Sequence, residues 1–212
     1  MIRAVVFDFD GTLVLSNAIK EDSFYAVAGA FPGGRERMQM VVAMKPGDRS
    51  AVWTRFTSEM GLVERTNDLI AQYTALCETR IKACPERSGA SASLQTLRAA
   101  GLRLYVNSST PAEPLRSITA ARFAAGTFDG VHGGHGRKLE NLRYIAAAAR
   151  LEPSHIAMVG DGIDDFDAAR AFGCHFFGVR GGSLDAAPSA HMIADLRELP
   201  GLIAAVKEPV RS

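Results

Sequence analysis

Two short acidic segments hold the residues of this sequence best suited to chemistry. Asp8-Phe9-Asp10-Gly11-Thr12 follows one apolar run, and Gly160-Asp161-Gly162-Ile163-Asp164-Asp165 follows another. Carboxylates at i and i+2 of an extended chain point to one side, so Asp8 and Asp10 share a face. Gly11 lets the backbone turn sharply and approach a ligand closely. Asp161, Asp164 and Asp165 repel one another, and ionising them together calls for a cation. Oxygen-only ligands suit Mg²⁺ better than zinc. Between these segments, Asn107-Ser108-Ser109-Thr110-Pro111 offers hydroxyls and N–H groups to an anion. Gly136-Arg137-Lys138 adds a cation, for which Lys138 is preferred over Arg137. A nucleophilic carboxylate, a second for proton transfer, a hydroxyl, a lysine and a metal site form a set suited to moving a phosphoryl group.

These residues need a frame to bring them together. Brief, continuously apolar runs predict buried parallel strands over residues 4–7, 102–106, 155–159 and 175–179, with a short one at 191–193. Helices are predicted over 91–100, 112–124, 139–150 and 166–172, with Gly101 and Gly173 as stops after two of them. The acidic and hydroxyl motifs all follow such strands, at the end of an open α/β sheet where ligands bind. From 15 to 86 the alternation breaks and only helical spacing remains, as in Phe24, Val27, Ala28, Phe31 and Leu69, Ile70, Tyr73, Leu76, Cys77. Asp48 and Asn67 are expected as N-caps and Gly61 as a helix end. The expected organisation is therefore an α/β core at 1–14 and 87–212, and an all-helical insertion at 15–86.

Composition excludes several classes. The chain has 212 residues, 47% of them hydrophobic, which argues against global disorder. Its 24 basic and 23 acidic residues give +1, so nucleic acid or an anionic membrane surface is not expected as the main partner. No apolar run approaches the roughly 20 residues of a membrane span. The N-terminal segment lacks a signal-peptide pattern. Cys77, Cys84 and Cys174 form no CxxC pair and read as reduced, packing thiols of a cytoplasmic protein. His132-Gly133-Gly134-His135 is expected as a flexible connection, not a metal site. Gly181-Gly182 lacks a dinucleotide-binding frame. Trp53, Met38, Met40, Met44 and Met60 are expected in the core of the insertion.

The ordered set Asp8-x-Asp10-Gly11-Thr12, Ser108, Lys138 and Gly160-Asp161-Gly162-x-Asp164-Asp165 resembles the haloacid dehalogenase superfamily of phosphohydrolases. The likeness runs from residue 1 to about 179, and the insertion resembles that superfamily's C1 cap, as in phosphoglycolate phosphatase-like members. It implies a doubly wound, Rossmann-like parallel sheet and a Mg²⁺-dependent phosphomonoester hydrolase. It further implies that Asp8 attacks phosphorus, and that Asp10 protonates the leaving oxygen and later deprotonates water. Asp8, the Asp10 carbonyl and Asp161 would bind Mg²⁺, steadied by Asp165. Ser108 and Lys138 would hold the phosphoryl oxygens. Asp164 stands where many relatives have Asn. The cap would swing on segments near 13–17 and 85–88.

Gly11, Thr12 and Ser109 are further candidate substrate contacts, joined by Asn17, Lys20, Lys45 and Arg49 of the insertion. The expected partner is a small phosphorylated substrate such as a sugar phosphate or phosphoglycolate, with the chain a monomer or homodimer. The alternative is a phosphomutase of the same fold. Asp10 speaks against dehalogenase and phosphonate-cleaving branches. A phospho-accepting signalling domain would carry its acidic pair and acceptor Asp in the other order and lack the insertion.

Overall fold

The computed structural model describes residues 1–186 and 191–206. In chain order the elements are β1 (Ala4–Phe7), α1 (Asn17–Ala28), α2 (Gly34–Ala43), α3 (Arg49–Met60), α4 (Thr66–Ile81), α5 (Ala90–Ala99), β2 (Arg103–Ser108) and α6 (Ala112–Arg122). There follow β3 (Gly130–Gly133), α7 (Lys138–Ala149), β4 (Ile156–Gly160), α8 (Ile163–Phe172), β5 (His175–Val179), β6 (His191–Ile193) and α9 (Leu199–Ala205). They divide into two compact units, Met1–Leu15 with Pro85–Ser212, and Ser16–Cys84.

The first unit is built on a parallel sheet in the order β3-β2-β1-β4-β5-β6, the Rossmann-like order with β1 central. All four residues of β1 are fully buried, which explains its uninterrupted apolar sequence. On one face, Ala4 and Val6 pack with Tyr105, Ile156 and Met158 against Leu142, Ile145 and Ala146 of α7 and Ala168 and Ala169 of α8. Burying such branched side chains contributes about 1.5–3 kcal/mol each.

β3 corrects the expectation of a flexible connection at His132 and Gly133. It pairs with β2 from Tyr105↔Gly130 to Ser108↔Gly133. As a half-buried edge strand bounded by glycines, it has no apolar run to announce it.

Leu15, Pro85 and Glu86 fall with the core, not with the insertion. The Leu15 N–H donates to the Pro85 carbonyl at 2.9 Å, and Val14 makes an antiparallel bridge with Glu86. The two crossings between core and insertion are thus laced together within the core unit.

The helical unit folds around aromatic rings. Phe24 stacks on Tyr73 at 4.1 Å between centroids, and Trp53 meets Phe56 edge-on at 5.4 Å. Asp48 caps α3 by accepting from the Ala51 N–H, and Gly61 ends it in the left-handed region at φ 67°. Asn67 is not the cap expected: a single 3₁₀ turn at Val63–Arg65 runs directly into α4, which begins at Thr66. Met38 and Trp53 are buried and Met60 is half-buried, but Met40 and Met44 are exposed, contrary to expectation. Met40 lies on the side of α2 away from Met38, and Met44 follows the last residue of that helix.

Candidate active site

β1 ends by handing its backbone to a tight loop. The Asp8 N–H donates to the Val159 carbonyl at 2.8 Å, locking the strand end to β4. Phe9 turns into the core against Phe123, so Asp8 and Asp10 face the other way. Gly11 has φ 80°, a left-handed conformation that lets the loop close through its N–H to the Val14 carbonyl at 2.7 Å.

Lys138, the first residue of α7, is the hub of the site. Its Nζ lies 3.2 Å from Asp8, 3.0 Å from Asp164 and in direct contact with Asp165. It is buried, as are Asp8, Asp161 and Asp165, whereas the Asp164 side chain is 58% exposed. Asn107 holds the start of the helix by donating to the Lys138 carbonyl at 2.9 Å, and is itself held by Asn141. Asp165 also accepts from the Gly162 N–H at 3.0 Å, capping α8.

One lysine cannot neutralise this many acids. Like charges about 4 Å apart repel by about 4 kcal/mol at an effective dielectric of 20. Burial, with added repulsion from Asp165, Asp10 and Asp161, pushes the Asp8 carboxyl well above the ordinary range despite Lys138. Burial likewise raises Asp165 to about 7. Burial alone would pull Lys138 down, but Asp8, Asp165 and Asp164 outweigh it and hold the ammonium charged. One carboxylate oxygen from each of Asp8, Asp161 and Asp165 lies within 4.8 Å of the others. That is a hard, all-oxygen donor set with excess negative charge, and it fits Mg²⁺.

Asp10 is placed differently. One of its oxygens accepts from Thr110 Oγ1 at 2.8 Å and Ser108 Oγ at 3.2 Å, and Ser108 Oγ accepts from the Thr110 N–H at 3.1 Å. Its carboxylate is thus oriented by the β2 loop. Thr12 Oγ1 donates to Asp161 at 2.9 Å. Ser109 is half-buried in the same β2 loop.

A family model described as haloacid dehalogenase-like hydrolase matches residues 2–173, most of this chain. The chain belongs to the haloacid dehalogenase-like hydrolases.

No curated protein sequence matches this hydrolase. Solved structures share its fold at low identity. A structure described as a predicted phosphoglycolate phosphatase from Haemophilus somnus 129PT is 18% identical at TM-score 0.77, over 95% of this chain and 97% of that one. CbbY from Rhodobacter sphaeroides, a mutant in complex with xylulose-1,5-bisphosphate, is 17% identical at TM-score 0.74, over 94% and 96%. L-2-haloacid dehalogenase from Xanthobacter autotrophicus is 16% identical at TM-score 0.66, over 98% and 100%.

Of the residues singled out in the sequence, Asp8, Asp10, Gly11, Thr12, Ser108, Ser109, Lys138, Asp161, Asp164 and Asp165 of this hydrolase lie at the carboxyl ends of β1, β2 and β4, in the loops that follow them, or at the start of α7 and α8. Asn17, Lys20, Lys45 and Arg49 belong to the helical unit. Asn17 and Lys20 lie in the first turn of α1, and Arg49 opens α3. Lys45 sits in the α2–α3 turn at φ 49°, where non-glycine residues are uncommon.

Three contributors escaped sequence reading. Thr110 stood only among the loop hydroxyls offered to an anion, whereas its Oγ1 orients Asp10. Arg87 donates through Nε to the Gly11 carbonyl at 2.7 Å, a contact over 76 positions that no local pattern foretells. Gly182 packs flat on Asp161: a Cβ there would overlap the Asp161 carbonyl and a carboxylate oxygen and stand 2.7 Å from its Cβ. Gly182 therefore serves close approach to an acid. Gly182→Ala is expected to displace Asp161, lower stability by about 1–3 kcal/mol and weaken divalent-metal binding, measurable by calorimetric titration with Mg²⁺.

Proposed function

We propose that this hydrolase is a Mg²⁺-dependent phosphatase of small phosphorylated metabolites, working through an aspartyl-phosphate on Asp8. The observation that carries the reading is the buried Asp8 carboxylate, in contact with Lys138 and within one oxygen cluster with Asp161 and Asp165. A nucleophile beside a fixed cation and a metal cage is what phosphoryl transfer needs, since positioning and charge stabilisation supply most of the catalysis. The resemblance to phosphoglycolate phosphatase-like proteins and to a structure holding a sugar bisphosphate supports the substrate class.

An Asp8 oxygen attacks phosphorus and the ester P–O bond breaks, with Asp10 giving its proton to the leaving oxygen. Asp10 then takes a proton from water, which attacks the aspartyl-phosphate, frees inorganic phosphate and restores Asp8. Ser108 and Lys138 hold the transferring oxygens, with Gly11, Thr12 and Ser109 shaping the loops around them. Asp8, the Asp10 carbonyl and Asp161, with Asp165 behind, would hold Mg²⁺, which when bound would supply charge neutralisation. Asn17, Lys20, Lys45 and Arg49 of the cap are assigned to the non-reacting end of the substrate.

The test is phosphate release from an aryl phosphate and a panel of phosphorylated metabolites. Release should require Mg²⁺ and stop with EDTA; metal-independent release would overturn the proposal. Lys45→Ala and Arg49→Ala should raise KM for the best metabolite about tenfold, and unchanged KM would remove them from the assignment.

The acids also predict how the metal acts on stability. Asp165 titrates higher in the folded, metal-free protein than its ordinary 3.8, at about 7, with burial the chief cause. A raised carboxyl favours the folded state fully below about pH 4, and that favour is lost as pH rises through about 7. Asp8 acts in the same direction. Mg²⁺ competes with these protons, so saturating Mg²⁺ should raise Tm by several degrees at pH 8 and much less at pH 5. Differential scanning calorimetry at the two pH values checks this.

A further inference from the structure

At the amino ends of the strands, opposite Asp8, the core unit contains a half-open cavity of about 970 Å³. It lies where β1 and β2 begin, between the last turns of α5 and α7 and one side of α9. Its size is at the upper end of small-molecule pockets. Ile2, Leu97 and Ile203, all at least 95% buried, form apolar wall.

The charged side chains among the described lining residues are Arg3, Arg103 and Arg150, with no acidic one among them. None of the three makes an ion pair among the described residues.

A structural role for these arginines accounts for only part of this. Arg150 follows the carboxyl end of α7, where a cation offsets the helix dipole. Two helix ends of roughly half a charge each offset about one guanidinium and leave about two in excess. Arg150 also occupies the left-handed region at φ 52°, a helix-ending position that glycine fills without steric cost. A side chain kept there at that cost lines the cavity.

We propose that this cavity is a binding site for an amphipathic carboxylate, distinct from the catalytic site. Its apolar body would lie along Ile2, Leu97 and Ile203, and its carboxylate would be gripped by Arg3 and Arg150 with Arg103 behind. Charge-assisted pairing of a carboxylate to guanidinium is strong and directional. Arg3 and Asp8 lie on one extended segment, five residues or roughly 17 Å apart at about 3.4 Å per residue. The site is therefore out of reach of a substrate held at Asp8.

Decanoate is the probe, titrated by calorimetry into the full chain at pH 8, with decanol and acetate as separate arms. One decanoate should bind per chain, with both controls at least about tenfold weaker. Arg3→Gln with Arg150→Gly should weaken decanoate about tenfold or more. Glycine suits the backbone at 150, so Tm and Mg²⁺-dependent phosphate release should be retained. Decanoate bound no tighter than decanol, many decanoates per chain, or binding unchanged in the double variant would each overturn the proposal.

Discussion

Asp8→Asn is expected to lower Mg²⁺-dependent phosphate release by about 10⁴-fold or more while leaving the fold intact. An amide has nearly the shape of the carboxylate but cannot act as the nucleophile, and loss of a nucleophile removes most of the rate enhancement. The stability effect separates this from unfolding. Asp8 is buried and its carboxyl is pushed up, chiefly by burial and against the pull of Lys138. A neutral side chain there avoids burying a charge, and Lys138 keeps Asp164 and Asp165 as partners. The metal-free variant should therefore match or exceed the parent in Tm at pH 8. It should also fail to trap ³²P from a labelled substrate, whereas the parent is labelled on rapid acid quench. A variant keeping more than about 1% of the activity would remove Asp8 from the nucleophile's role.

Lys138→Met should have the largest effect on stability. Lys138 touches three carboxylates, two of them buried, and removing one partner of a buried charge set costs about 3–5 kcal/mol. For a chain of this size that is about 10 °C in Tm. The acids left behind relieve themselves by taking protons, so the gap from the parent should be wide at pH 8 and narrow at pH 5. Lys138 itself does not confuse the sign. Burial pulls it down, but its carboxylates outweigh that and hold it well above its ordinary 10.5, so it stays charged at both pH values. Activity should fall about 10³-fold, the scale of losing one charge-stabilising donor at a transition state. A pH-independent Tm difference would mean that Lys138 contributes packing and not charge compensation.

Much of the frame was legible in the sequence because buried parallel strands have a simple signature. β1, β4 and β5 read as continuous apolar runs since both their faces are covered. β3 did not, because an edge strand of Gly-Val-His-Gly takes its identity from pairing with β2, which is a non-local fact. Met40 and Met44 misled for a related reason: methionine is apolar, but which side of α2 meets the other helices is set by packing.

Within the site, the sequence by itself determined that two acidic segments meet at one edge of the sheet. Asp8 and Asp10 alternate with Phe9 at a strand end, and the period of two fixes their common side. Asp161, Asp164 and Asp165 follow another strand at the same sheet edge, so an acidic cluster was implied before any tertiary contact was known. The contacts within that cluster were decided only by the tertiary structure. Lys138 lies 130 residues from Asp8, Thr110 reaches Asp10 across 100 positions, and Thr12 reaches Asp161 across 149. Burial, which raises Asp8 and Asp165, comes from the whole sheet and its helices, and a linear sequence carries no record of it.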